Sequence, residues 1–367
     1  MNIFLLGATP EITLLPKDDH LVKLGKTGGN TGNQIIALGL LARIQYQNVS
    51  WDYGISPHEV KEKYDLFVIA AANFLFHNFD FGGMADYIER ADLPVAIVGL
   101  GAQANNYDPD IRLHPGTERF LKVIAERAVS IGIRGPFTGE VLSRRGIHNF
   151  TITGCPSYYM AGAKGLHLRK REFHNIEKIC VNASRDVINH AFNRDKMSEI
   201  VREIYREAII WQADFIAQSE HAEITLAEKR TGPAAEAALN DICSFLQGIA
   251  DNIKIREWAL EHIRVCFNVD DWVKVIRTYD FVFGNRFHGN IVALQEGVPA
   301  CVICHDTRTE EMCEFLGLPH VNIVDVKSIE VKMLFEQVDS AGLNDRYNSL
   351  YPRYLEFLRK NKLTPRE

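Results

Sequence analysis

Residues 281–303 read FVFGNRFHGNIVALQEGVPACVI, and this stretch decides the fold. FVFG is an apolar run of strand length, NRFHGN is a polar break, IVALQEGV has helical spacing, and PACVI is a second strand-like run. A strand–loop–helix–strand unit of this kind builds parallel sheets. It sets Arg286, His288 and Asn290 at the carboxyl end of a strand and in the first turn of a helix. Ligands of open α/β sheets bind at that edge. The helix start offers free backbone N–H groups and a partial positive charge, both favouring an anion. Arg286 adds a permanent cation with forked donors, and His288 a group that exchanges a proton near neutral pH.

The same alternation extends in both directions. Before it come the apolar run at residues 2–7, the helical stretch QIIALGLLARIQ after TGGNTGN (27–33), and buried strands in DLFVIAA and PVAIVGLGAQ. Ala85, Ile88 and Ala91 share one side of a helix between those two strands. RFLKVIAERA is helical, SIGIR ends a strand at Arg134, GPFTGEVLSRRG is a helix stopped by Gly146, and NFTITGCPS closes the series. The polar, basic stretch AKGLHLRKREFHNIEK (163–178) reads as a linker, after which KICVNASRD starts a second series. Residues 195–262 are mostly helical in pattern, and an amphipathic helix carrying Tyr347, Tyr351, Tyr354 and Phe357 as a packing stripe ends the chain. The expected fold is α/β: a Rossmann-like domain over 1–165, a second over 176–340 facing it across a cleft, and a C-terminal helix over 341–367.

Composition narrows the function classes. The chain has 367 residues, 46% hydrophobic and 24% charged, which suits a globular protein with substantial cores. A net charge of −6 argues against a broad nucleic-acid face and leaves room for a local cationic cleft. The first residues lack the basic start and long apolar core of a signal peptide, and no run approaches the ~18 apolar residues of a membrane span, so a cytoplasmic protein is expected. Seven cysteines are too odd a set for a disulfide framework. Cys301 and Cys304 lie within an apolar strand and point to opposite faces, as buried small hydrophobes and not as a metal or redox pair.

Four other segments carry candidate chemistry. In GGNTGNQ (28–34), Gly29, Asn30, Gly32 and Asn33 allow close backbone approach to an anion; the plain alternative is a tight strand-to-helix turn with Asn30 or Thr31 as cap. Arg134, before Pro136 in the first turn of the next helix, can grip a carboxylate or phosphate or pair structurally. In CHDTRTEE (304–311), Arg308 is a second-domain anion ligand, Glu310 and Glu311 favour the dipole of their own helix, and His305 and Asp306 lack metal-site spacing. Asn182, Ser184 and Arg185 end a strand at the cleft edge. No metal site is expected.

With these segments in view, the chain resembles the polysaccharide pyruvyl transferase family over about residues 25–320. The resemblance is carried by GNTGN, SIGIR before a helix, TGCPS, and above all GNRFHGNIVALQEGVP with HDTRTEEMCEFLGLP. It implies two Rossmann-like domains similar to the B-type glycosyltransferase arrangement. It implies transfer of the enolpyruvyl unit of phosphoenolpyruvate to a sugar as a cyclic ketal, with release of phosphate and no other cofactor, in exopolysaccharide or cell-envelope synthesis. Arg134 and Arg286 then resemble the donor-binding arginines and His288 the proton donor and acceptor, with Phe287, Gly289, Asn290 and Arg308 around them. Phe287 stands where the family usually has leucine, and Asn33 where many members carry aspartate.

Two other functions fit the same segments: a glycosyltransferase taking a nucleotide sugar in the same cleft, and a non-catalytic anion- or sugar-binding protein. The acceptor sugar and the oligomeric state are not written in the sequence. A lipid-linked acceptor would bring the chain to the inner membrane surface, a nucleotide-linked one would not; LRKREFHNIEK (168–178) reads foremost as a solvated linker, with a basic membrane contact as the alternative.

Overall fold

In the computed structural model, which describes residues 1–15 and 17–366, the apolar runs are parallel strands covered on both faces. The first half holds β1 (Asn2–Gly7), β2 (Ile44–Gln45), β3 (Asn48–Ser50), β4 (Leu66–Ala70), β5 (Val95–Val98), β6 (Ile131–Ile133) and β7 (Phe150–Ile152). The second holds β8 (Ile179–Asn182), β9 (Asp214–Ala217), β10 (Ile263–Val265), β11 (Phe281–Gly284), β12 (Ala300–Cys304) and β13 (His320–Asn322), with β14 (Thr364–Pro365) at the end. β12 shows why such runs lack polar alternation: Ala300, Val302 and Cys304 enter one core while Cys301 and Ile303 enter another. The cysteines of the C-x-x-C pair therefore do face opposite ways, and all seven are free and buried.

The second sheet runs β10-β9-β8-β11-β12-β13. Numbered within that half this is 3-2-1-4-5-6, the dinucleotide-fold order, and its winding reverses between β8 and β11. FVFGNRFHGN supplies β11 and the turn after it, so it stands at the switch point. The first sheet runs β3-β1-β4-β5, and bridges from Val95 to Ala128 and from Leu100 to Ile133 carry it on to β6 and β7. Two Rossmann-like sheets, as expected, place their carboxyl edges around a shared crevice.

Two local expectations are corrected. TGGNTGN does not join a strand to a helix; it joins the helices His20–Lys26 and Asn33–Leu41, and the cap of the second is Gly32, with no side-chain capping bond. The region read as helical from residue 195 also contains β9, whose Phe215, Ile216 and Ala217 are too few to stand out between helices. The linker stretch has only short 3-10 turns, as its polarity suggests.

The halves are held together by packing and by polar contacts. One apolar cluster runs from Ile3 and Leu5 through Ile36 and Tyr158 to Val282 and Val302. The helix Ser340–Lys360 crosses both halves. Arg346 Nε donates to Phe315 O at 2.8 Å in the second, while Tyr354 stacks on Tyr159 of the first with centroids 4.0 Å apart and planes 8° apart. Beyond it Ser130 N donates to Asn361 Oδ1 at 3.1 Å, and β14 pairs antiparallel with β2.

Glu311 corrects another expectation. The helix Thr307–Leu316 is capped by Asp306, and Glu311 reaches instead to the first half, accepting from Thr138 Oγ1 at 2.6 Å and Thr138 N at 3.1 Å. It thus serves the start of the helix Pro136–Ser143. Burial pushes its carboxyl up to about 7, against the opposing pull of the Thr138 bonds and Arg134. Because the folded value exceeds the unfolded one, the protonated carboxyl stabilises the fold below about pH 4.5, and that contribution, about 3 kcal/mol, is lost as pH rises through 7. Glu311→Gln should flatten the urea midpoint across pH 5 to 8; an unchanged pH slope would remove Glu311 as its source.

Candidate active site

The crevice is built on a close approach of two strand ends. β11 ends at Gly284 with φ 150°, where a Cβ would lie 1.7 Å from Asn182 O at the end of β8. Only glycine fits there. Amide side chains then lock the turn. Asn285 Oδ1 accepts from Ser184 N at 2.9 Å, and Asn290 Nδ2 donates to Arg286 O at 2.9 Å, Gly284 O at 3.1 Å and Asn182 Oδ1 at 3.3 Å. The helix Phe287–Gln295 starts here with Arg286 as its N-cap. Asn290 is fully buried and holds the turn from behind, and Phe287 is a core residue whose ring meets His288 edge-on at 5.4 Å.

Three arginines converge, each held differently. Arg286, partly exposed, pairs with the buried Glu220, its Nε donating to Oε1 at 2.9 Å, while its Nη2 also bonds Ser184 Oγ at 2.8 Å and Ser219 Oγ. Burial works against the Glu220 carboxylate, but the Arg286 charge and the N–H groups of Gln218 and Ser219 hold it below its usual range. Arg134 is 1% exposed; it has no carboxylate partner among the described residues and donates from Nε to Gly99 O at 2.8 Å and from Nη2 to Ala71 O at 3.4 Å. Arg308 lies 3.5 Å from Asp306 Oδ2, and its Nε is buried without an acceptor.

His288 stands among them, with Nε2 3.6 Å from Cys155 Sγ of TGCPS. Burial, then the charges of Arg134, Arg308 and Arg286, push its pKa well below the ordinary histidine value. Gly32 closes the site from the glycine-rich loop: a Cβ there would lie 2.7 Å from Gln218 Oε1 and 3.1 Å from His288 Cβ. The loop is tied across the crevice by Thr31 N donating to Gln218 O at 3.0 Å. Two buried amides, Asn182 Nδ2 and Gln218 Nε2, have no acceptor, and each lies 2.8 Å from where a Cβ on Gly289 would stand. Unpaired buried donors at a helix start among cations make a site for an anion.

Not every expected residue faces this site. Gly29 is exposed, has φ 80°, and ends the helix His20–Lys26 by donating to Leu24 O at 3.0 Å. Asn33 Nδ2 is spent on Thr27 O at 3.0 Å and Gly28 O at 3.3 Å, and Asn30 Oδ1 accepts from Gly32 N at 2.8 Å. Arg185 turns away to Glu223 and Asp241. Sequence reasoning missed Gln218, Ser219, Glu220 and Cys155. The first three follow a strand-like DFIA and precede a helix, the same signature as the NRFHGN stretch, though hidden inside a charged run. Among the described residues, no group of three or more His, Cys, Asp or Glu side chains could hold a metal, and no helix is long and apolar enough to cross a membrane.

A family model described as polysaccharide pyruvyl transferase matches residues 30–307. No curated protein matches the sequence. Among solved structures, S. aureus MnaA in its UDP co-structure is similar at 12% identity, covering 100% of this chain and 99% of that one, with a TM-score of 0.44. UDP-GlcNAc 2-epimerase from Methanocaldococcus jannaschii gives 14% identity, coverage of 90% and 80%, and a TM-score of 0.40. The glycosyltransferase SnogD from Streptomyces nogalater gives 13%, 94% and 82%, and 0.33.

Two outcomes test this geometry. Glu220→Ala leaves the partly buried Arg286 charge without its carboxylate and should cost about 3 kcal/mol in urea unfolding; a cost under about 1 kcal/mol would mean that the pair is solvated. In the free protein His288 should stay neutral at pH 6, and inorganic phosphate, by offsetting the guanidinium charges, should raise its titration midpoint. Nitrogen NMR of labelled histidine reads both, and a midpoint indifferent to phosphate would place the arginines away from the ring.

Proposed function

This chain belongs to the polysaccharide pyruvyl transferase family, and we propose that it transfers the enolpyruvyl group of phosphoenolpyruvate onto a sugar of a glycan precursor, releasing phosphate. One observation supports this above the others: the charges of Arg134, Arg308 and Arg286 all act on His288 at the switch point of the second sheet, near the unpaired amides of Asn182 and Gln218. Phosphoenolpyruvate is a compact multiple anion, and a site for it calls for cations and a helix start more than for an apolar pocket. The roles of Arg134 and Arg286 are to hold its carboxylate and phosphate, and that of Arg308 is to stabilise phosphate as it departs.

The chemistry follows from the state of His288. Burial and the arginine charges favour the neutral imidazole; a bound donor would reverse the local field and favour its protonated form. Protonated His288 gives its proton to the methylene carbon, which becomes a methyl group and leaves the central carbon electrophilic. One sugar hydroxyl adds there and its proton returns to His288. The C–O bond to phosphate breaks, and a second hydroxyl of the same sugar closes the ketal. Its proton leaves with phosphate, so the reaction balances with no other co-reactant. The acceptor is lipid- or nucleotide-linked in this scheme, and a lipid-linked one would bring the protein to the membrane surface.

Incubating the protein with phosphoenolpyruvate and a panel of nucleotide- and lipid-linked sugars should release phosphate and yield a product heavier by one pyruvate ketal. His288→Ala should lower that rate by about 10² to 10⁴, the usual worth of a general acid, while phosphoenolpyruvate still binds. Undiminished turnover in the variant would end the assignment of His288. Tight binding of a nucleoside diphosphate with no response to phosphoenolpyruvate would favour the glycosyltransferase alternative.

A further inference from the structure

A cavity of about 360 Å³ opens at the carboxyl edges of both sheets, where Phe76, Gln103, Asn105 and Asp110 of the first half meet Asn189 and His190 of the second. That is the low end of the ~300–1,000 Å³ typical of ligand pockets, room for one or two sugar rings and not for a long polymer. The loop at its floor is joined to the anion site. Gln103 Nε2 donates to Asp306 Oδ2 at 2.9 Å, and the same oxygen lies 3.5 Å from Arg308 Nη2. Across the mouth the His190 ring meets Phe76 edge-on, centroids 5.0 Å apart and planes at 88°.

The lining is more mixed than the anion site. Amides, Asp108 and Asp110 stand with one arginine, Arg112, beside aromatic and imidazole rings. Two carboxylates against one guanidinium disfavour a multiply charged donor and accept from hydroxyls. Amides donate and accept at once, as vicinal hydroxyls require, and ring faces suit the C–H surface of a pyranose. We propose that this cavity is the acceptor subsite: it holds a neutral pyranose, with the attacking hydroxyls turned past Gln103 and Asp306 toward Arg308 and His288. The assignment of acceptor rests on the pyruvyl transfer proposed above, whereas the pyranose site itself does not. Because the ring contacts come from both halves, an occupied cavity also helps to hold the crevice closed.

The test uses the full chain with methyl pyranosides of glucose, galactose, mannose and N-acetylglucosamine as probes, read by saturation-transfer NMR, and phosphoenolpyruvate titrated in parallel. At least one pyranoside should bind the unaltered protein. Asp110→Ala and Asn189→Ala should each weaken it about fivefold to tenfold, the worth of one hydrogen bond, and Asn105→Trp, which fills the cavity, should abolish it. Phosphoenolpyruvate binding and the melting temperature should not move. Pyranoside binding that ignores all three substitutions, or no binding of any probe at tens of millimolar, overturns the subsite. Pyranoside binding lost as expected, with no phosphoenolpyruvate response in the unaltered protein, would keep the sugar site and remove pyruvyl transfer.

Discussion

Three guanidinium groups crowded around one imidazole repel one another, and the low dielectric of a crevice sharpens the repulsion. Much of the surrounding structure exists to make that crowding tolerable. Each cation is offset by a different device: Arg286 by the buried carboxylate of Glu220, Arg134 by the carbonyls of Gly99 and Ala71, Arg308 by Asp306. The devices are graded. A carboxylate cancels the charge it faces, whereas carbonyl dipoles orient a guanidinium and leave most of its field for a ligand. Arg134 bonds only carbonyls and feels Glu311 and Asp306 through space, so it keeps a stronger claim on an incoming anion than Arg286, which is paired directly with Glu220. Burial and the uncancelled field together explain why His288 is neutral before anything binds.

The cations are shared between strand ends of two sheets. Arg134 directly follows β6, Arg286 and His288 stand at the start of the helix after β11, and Arg308 is in the first turn of the helix after β12. Glu311 then fastens the helix after Arg134 to the helix that carries Arg308, so the second half helps to position a cation of the first. Burial pushes the carboxyl that makes this fastening up to about 7, so the contact between the two helices changes charge near neutral pH.

Much of the architecture was legible in the sequence because parallel strands buried on both faces leave continuous apolar runs, and β4, β5, β11 and β12 are of that kind. β9 was not legible: three apolar residues between two helices, the first of 18 residues, carry no distinct period. The placement of Arg134, Arg286, His288 and Arg308 at strand ends could be read for the same reason. Their supporting groups could not. Glu220 and Glu311 look like ordinary surface charges in a sequence, and only the tertiary fold shows that each is almost wholly buried against a partner more than sixty positions away. Asn33 and Gly29 show the converse, since a glycine-rich loop signals tight backbone geometry without saying whether a ligand or another helix demands it.

The helix Ser340–Lys360 has a consequence for how the chain is made. The ribosome delivers the first sheet early, yet Tyr159, Ser130 and β2 must wait for Tyr354, Asn361 and β14, which emerge after the whole second sheet. The first half cannot finish folding as a unit when it leaves the exit tunnel, as multidomain chains commonly do. Its aromatic seam stays open to solvent for the time it takes to translate nearly two hundred further residues, and in that interval the nascent chain would be exposed to chaperones and to aggregation. Final closure of the first half is thus a last step of biogenesis, reached only once the other half of the crevice has already been synthesised.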